Sequence, residues 1–216
     1  MDINIQKLEK RYKRPLDLLL LAGAHVLLFP MWLIFWMIIP LLIWLEDRGP
    51  IFFVQQRVGW QGKYFRMYKF RTMRVPRAGE YWSEHTLTND PRVTRVGRLL
   101  QRIALDELPQ MINLWKGDIS FVGPRPLPIP MFKADLEEEP SFIQRLQVRP
   151  GLTGLAQISL PRHCPPSLRL KYDLQYISAH SLVLDVKLIL FSVWVTLTGR
   201  WGSGRREIES ETNRIP

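Results

Sequence analysis

Cysteine is almost absent from the chain: Cys164 is the single one in 216 residues. An intramolecular disulfide and a multi-cysteine zinc site are therefore excluded, and the four histidines show no ligand spacing. One thiol fits a reducing compartment. Glycine is also sparse, at 13 residues. None of these builds a Walker-type loop or a dinucleotide-binding loop, and no Ser/His/Asp order supports a hydrolase triad. Acidic residues are few beside basic ones, 20 against 30 for a net charge of +10. The excess concentrates between Arg57 and Arg102, where Glu80, Glu84 and Asp90 are heavily outnumbered. Such a surface draws an anionic partner: nucleic acid, a phosphorylated small molecule or anionic lipid headgroups. The basic tracts are short and lack a platform of interleaved aromatics, so with a membrane segment in the same chain nucleic acid is set aside.

Apolar residues are plentiful. Leu16 to Leu45 reads "LDLLLLAGAHVLLFPMWLIFWMIIPLLIWL", longer than the roughly 20 residues that cross a bilayer core and far longer than a signal-peptide core. Hydropathy alone describes a single-pass anchor. Two features describe a re-entrant hairpin instead. Pro30 lies mid-segment, where proline removes a backbone hydrogen bond and bends a helix. Both flanks are basic, with Lys7, Lys10, Arg11, Lys13 and Arg14 before and Arg48 and Arg57 after, so the positive-inside rule places both ends on one face. Pro40 marks a second expected irregularity. Crossing and dipping are not separated by these features alone. A shorter apolar run, Leu182 to Leu197, is broken by Asp185 and Lys187. With Trp194, Trp201, Arg200, Arg205 and Arg206 nearby it reads either as an interfacial helix or as a core helix. The tail beyond Gly202 is polar.

Between these segments, "PIFFVQQRVG", "WQGK" and "YFRMYKFRTM" spell a β-hairpin. A period of two puts Phe65, Met67, Lys69 and Arg71 on one face. Those two cations are either simply solvated or an anion site on a rigid strand. Val75 to Asp90 has no periodicity and reads as loop. A short helix follows, with Arg95, Arg98 and Arg102 along one side. Leu108, Met111, Ile112 and Trp115 predict the apolar face of a helix that starts at Asp106 and stops at Gly117. The adjacent acids Asp106 and Glu107 then admit two readings. An aspartate at a helix start caps free amides, and Pro109 in the first turn suits that place. The same position also holds a carboxylate ionised, as a nucleophile or magnesium ligand requires. Downstream, Arg125 in "GPRP" and Arg149 in "VRPGLTG" each precede a proline, which favours extended backbone. Together with Lys69 and Arg71 they suggest a phosphate pocket, since arginine's planar fork matches phosphate oxygens.

"KRPLD" before an apolar segment with a central proline, "FFVQQRVGWQGKYFRMYKFRTM", "DPRVTRVGRLL", "ALDELPQMINLWKGDISFVGPRP", "VRPGLTGLAQ" and "YDLQYISAHSLVLDVKLIL" occur in that order from Lys13 to about Thr196. This collinear set resembles the bacterial sugar transferases, the monotopic phosphoglycosyl transferases. The resemblance implies an α+β, mostly helical, membrane-associated monotopic protein. Its parts would be a re-entrant N-terminal segment over residues 1–46 with its break at Pro30, a catalytic domain over 47–200 containing the hairpin and interfacial helices, and a polar tail over 201–216. It implies transfer of a sugar 1-phosphate from a UDP-sugar to polyprenyl phosphate at the cytoplasmic face of the bacterial inner membrane, releasing UMP and opening surface-glycan assembly. By the same resemblance Asp106 is the nucleophile of a ping-pong reaction. Glu107, with Asp106, holds Mg²⁺, while Lys69, Arg71, Arg125 and Arg149 bind phosphate or nucleotide. Membrane lipid, a second copy of the chain and downstream glycosyltransferases complete the implied partners, and the short chain resembles the minimal form of the family. Two departures stand out: Phe29 replaces a serine common in the family, and "ISLPRHCPPSLRLKYD" follows "GLAQ" where many members carry a glycine-arginine-asparagine stretch. The rival reading is a membrane-anchored basic scaffold without catalytic activity.

Overall fold

The structure, a computed structural model, describes residues 7–75, 90–161 and 164–198. Most of the expected Val75 to Asp90 loop, two residues of the unusual 158–171 segment and the tail with Trp201, Arg200, Arg205 and Arg206 lie outside these residues.

Helix α1 (Lys13–Leu27) and helix α2 (Phe29–Glu46) meet at Leu28, whose φ of −107° and ψ of 17° leave the helical region. The break expected at Pro30 therefore falls two residues earlier. Pro30 sits in the first turn of α2, where its missing N–H costs nothing, and the chain yields ahead of its ring. The bend is sharp. In a straight helix, residues seven apart are separated by about 10.5 Å along the axis, yet the His25 and Trp32 rings stack at 5.1 Å and Trp32 Nε1 donates to the carbonyl of Ala24 at 3.0 Å. Pro40 produces no second break; α2 runs through it, and the N–H that Pro40 lacks is the one Trp36 O would have accepted.

Both ends of this bent pair are fixed to the same body. At the start of α1, the buried Lys13 donates to Val122 O (2.7 Å), to the Tyr176 hydroxyl (2.8 Å) and to Asp185 (3.0 Å). Asp17 accepts from the Ser120 hydroxyl and the Phe121 N–H. At the end of α2, the Glu46 carboxylate accepts the N–H groups of Arg95 and Val96 and so caps helix α3 (Arg95–Arg102) from outside. Between these ends Leu21, Trp32, Ile39 and Ile43 are buried, but many apolar side chains face outward: Val26 and Leu27 are 78 and 81% exposed, and Leu33, Ile34, Met37, Leu41 and Leu45 are also exposed. Helix α2 is the one helix among the described residues long and apolar enough to cross a membrane. At 18 residues it measures about 27 Å, just short of a hydrocarbon core of about 30 Å.

Strands β1 (Phe52–Val58) and β2 (Tyr64–Phe70) form the expected antiparallel hairpin, with Phe53 opposite Lys69 and Gln55 opposite Met67. Its turn places Gln61 and Gly62 at positive φ. Phe70 packs under Ile39, Ile43 and Leu100, tying hairpin, α2 and α3 together. The helix expected from Asp106 is instead a 3-10 turn, Leu105–Gln110, followed by α4 (Met111–Lys116). Gly117 stops it in the left-handed conformation. The apolar face also differs from the expected one: Ile112 and Trp115 are exposed, while Asn113 and Leu114 are fully buried, Leu114 against Leu21 of α1.

Strand β3 (Ser120–Val122) pairs in parallel with β4 (Gly151–Thr153). Between them run α5 (Ile129–Glu138) and a 3-10 segment, Pro140–Gln147. Helices α6 (Leu155–Ser159), α7 (Pro166–Ala179) and α8 (Leu182–Thr198) complete the body. The last apolar run, helix α8, is buried along one side only. Asp185, Leu188 and Val195 of α8 are buried, whereas Val183, Leu190, Val193 and Trp194 are exposed.

Candidate active site

The chain leaves α3 through Ala104, a non-glycine residue at φ 55°, a conformation that costs about 1–3 kcal/mol and is kept only where the surroundings enforce it. The 3-10 turn that follows packs against β2 and carries Asp106 and Glu107. Asn113 ties the helix that follows to the strand. Its side chain accepts the N–H of Tyr68 and donates to Arg66 O (2.7 Å) and Asp118 (2.9 Å), fixing α4 to the β2 backbone. Lys69, the next residue on β2, is thereby held over the acid pair, 2.6 Å from Glu107 Oε1 and 3.7 Å from Asp106 Oδ2.

Asp106 lies inside the turn, beyond its N-cap position at Ala104, and its carboxylate is buried beside a cation. Burial pushes its pKa up to about 6; Lys69 pulls it down and Glu107 pushes it further up. A carboxylate whose charged form is disfavoured by burial is a stronger base than a solvated one. Glu107 extends the line of charge to Arg125, whose Nη2 lies 3.8 Å from Glu107 Oε1.

Arg125 itself is half exposed, but its backbone is held. Arg145, paired with the buried Asp173 at 2.9 Å, donates to Arg125 O, and Arg57 Nη1 donates to Pro126 O. The glycines of the two loops are needed for contact: a Cβ on Gly151 would lie 2.0 Å from Gly123 N, and one on Gly123 would lie 2.3 Å from Arg149 O. "GPRP" and "RPGLTG" are thus interlocked backbones, and the second motif has a packing role.

Lys69 and Arg125 join the acid pair; Arg71 and Arg149 are placed elsewhere. Strand β2 ends at Phe70, and Arg71 turns back to pair with the side chain and carbonyl of Asp47 at the end of α2. Arg149 pairs with Glu9 at 3.1 Å and stacks over Trp60. Three residues that sequence reasoning missed belong to the site: Arg57, Gln110 and Asn113. Arg57 and Gln110 line one depression with Arg125, Glu107, Met67, Pro126, Gly151 and Leu152, and Asn113 positions it. The signal for Arg57 was available, because extending the period of two across the hairpin puts it on the face of Met67 and Lys69.

The described residues contain no group of three metal-ligating side chains, so a closed, all-protein cage is not built. Two adjacent carboxylates do suit Mg²⁺, which commonly takes one or two carboxylates and fills its shell with substrate phosphate and water.

One body thus carries a broken pair of apolar helices and a carboxylate pair close to a lysine and an arginine. The bacterial sugar transferase model matches residues 8–199. The chain belongs to the bacterial sugar transferase family. Among its relatives, the exopolysaccharide production protein PSS of Rhizobium leguminosarum bv. phaseoli is 37% identical over 194 residues, covering 86% of this chain and 95% of the relative. The undecaprenyl-phosphate glucose phosphotransferase of Komagataeibacter xylinus is 38% identical over 165 residues, 72% of this chain. The UDP-glucose:undecaprenyl-phosphate glucose-1-phosphate transferase of Escherichia coli K12 is 38% identical over 161 residues, also 72% of this chain. The chain spans 31% and 34% of the lengths of these last two relatives.

Proposed function

We propose that the chain is a phosphoglycosyl transferase that moves a sugar 1-phosphate from a UDP-sugar to undecaprenyl phosphate, yielding undecaprenyl-diphospho-sugar and UMP and opening surface-polysaccharide assembly. The observation that carries this reading is the buried Asp106 beside Lys69, Glu107 and Arg125. An Asp106 oxygen attacks the phosphorus that bears the sugar. The bond from that phosphorus to the bridging oxygen breaks, its electron pair leaves with UMP, and an acyl-phosphate to the sugar remains on the enzyme. An oxygen of undecaprenyl phosphate then attacks the same phosphorus and frees the Asp106 carboxylate. Lys69 offsets charge on the phosphoryl group in both halves, and Arg125 holds the rest of the diphosphate. Glu107 and Asp106 would hold Mg²⁺, which when bound neutralises diphosphate charge.

The anatomy supports a membrane-surface site. The acceptor keeps its phosphate at the bilayer surface while the donor is soluble, so the chemistry has to happen at the interface. A bent α1–α2 pair with an outward apolar face and both ends on one body suits dipping into the cytoplasmic leaflet without crossing. A panel of UDP-sugars offered to the full chain in detergent with Mg²⁺ and undecaprenyl phosphate tests the reading. UMP release from at least one sugar, lost in Asp106→Asn, is expected. No release from any sugar would favour the anchored scaffold.

A further inference from the structure

Arg57 is an uncompensated cation. Its Nη1 donates to Pro126 O at 2.8 Å, its Nε is buried without a hydrogen-bond partner, and it makes no ion pair among the described residues. The nearest cation makes matters worse. Burial first, and the like charge of Arg125 second, pull the pKa of Arg57 down to about 10, against a smaller pull upward from Glu107. Two guanidinium groups thus line one open depression with a single carboxylate between them and the nucleophile. A partly buried cation with no carboxylate paired to it is costly, and a depression that keeps two of one sign is suited to an anion that brings the missing charge.

The order of charges tells which anion. Lys69 lies 3.7 Å from Asp106 and 2.6 Å from Glu107, and Glu107 lies 3.8 Å from Arg125. Arg57 lies further along the hairpin from Lys69, opposite Phe65, and lines the depression with Glu107 and Arg125. Lys69 therefore serves the phosphoryl group at Asp106, and Arg57 lies towards the Arg125 end of the site. A diphosphate laid along this line puts its second phosphorus next to the two guanidinium groups.

We infer that Arg57 and Arg125 form a two-guanidinium subsite for the nucleotide-side phosphate of the diphosphate donor, the phosphate that departs with the nucleoside monophosphate. The inference rests on the proposed transferase reading. When the phosphorus–oxygen bond breaks, the leaving phosphate gains negative charge, and paired guanidinium groups stabilise that charge more than they stabilise the ground state.

The test measures equilibrium binding of UMP, and separately of a short polyprenyl phosphate, to the full chain in detergent, for wild type, Arg57→Gln and Arg57→Lys. Arg57→Gln is expected to weaken UMP binding about 10- to 100-fold, as expected for loss of charge-assisted hydrogen bonds. Polyprenyl phosphate affinity should stay unchanged, the thermal midpoint should hold or rise, and Arg57→Lys should recover part of the UMP affinity. Unchanged UMP affinity in Arg57→Gln overturns the subsite, as does an equal loss for polyprenyl phosphate or a fall in thermal midpoint with UMP affinity intact. If wild type turns over UDP-sugar and the variant still binds UMP normally, the subsite alone fails. If wild type neither releases nor binds UMP, the transferase reading fails with it.

Discussion

Replacing Asp106 by asparagine separates the two roles open to an acid at the start of a helix. In the folded chain the Asp106 carboxyl sits at about 6 against an ordinary 3.8, a difference worth about 3 kcal/mol. Its sign follows from the direction. Below the ordinary value the group is neutral whether folded or unfolded and contributes nothing. Above about pH 6 it is charged in both states, and burying the charge destabilises the fold by the whole difference. Asp106→Asn removes that cost and leaves Lys69 its shorter pairing with Glu107 at 2.6 Å. The variant should therefore match wild type near pH 4 and become more stable as pH rises. By pH 8 the gain approaches about 3 kcal/mol, or about 6–12 °C in thermal midpoint for a chain of this size. A thermal-melt series in detergent from pH 4 to 8 reads this directly. Asparagine caps helices as well as aspartate does, so a cap predicts a small difference that does not change with pH; that result, or a destabilised variant at pH 8, would refute the reasoning.

UMP release should lose activity on the acid side with a midpoint near pH 6, because Asp106 must be ionised to attack. Glu107→Gln, measured in the donor half-reaction, should move that midpoint lower by removing a like charge, and Lys69→Met should move it higher; shifts in the opposite senses would contradict the assignment. Lys13→Met should cost about 3–5 kcal/mol by stranding Asp185 in the core, read as a lowered thermal midpoint, and pairing it with Asp185→Leu should restore much of the loss. Arg149→Gln should lower the thermal midpoint through its lost pairing with Glu9 while leaving the donor KM within about twofold; a large rise in KM would return Arg149 to the phosphate site.

What the sequence made legible was local. The hairpin followed from alternation, and the register of its strands needs only the turn between them. Gly117 stopped α4 as expected, because the left-handed stop is a property of that residue. The misses were long-range or marginal. Arg71 continues the alternation of Lys69 on paper, but the strand ends at Phe70 and Asp47 draws the guanidinium away. Arg149 is claimed by Glu9, 140 positions earlier, and Lys13 by Asp185, 172 positions later; nothing local announces either. The parallel pairing of β3 with β4 involves two three-residue strands held by close glycine contact, too short for periodicity to register. The face of α4 was misjudged because a 3-10 turn precedes it and rotates the helix, so that Asn113 and Leu114 are buried in place of Ile112 and Trp115. Asp106 and Glu107 stand out in the sequence, yet only the burial of Asp106 and the neighbouring Lys69, brought in from β2, favour chemistry over capping.

The most direct measurement is of the enzyme caught between its two half-reactions. The full chain is incubated with Mg²⁺ and a UDP-sugar that supports UMP release, without polyprenyl phosphate, quenched, and analysed by intact-protein and peptide mass spectrometry. The account predicts a mass gain of one sugar 1-phosphate less one water, localised to the peptide carrying Asp106, absent in Asp106→Asn and discharged on adding undecaprenyl phosphate. An adduct on another residue, or UMP released only when donor and acceptor are present together with no adduct at any time, would contradict it.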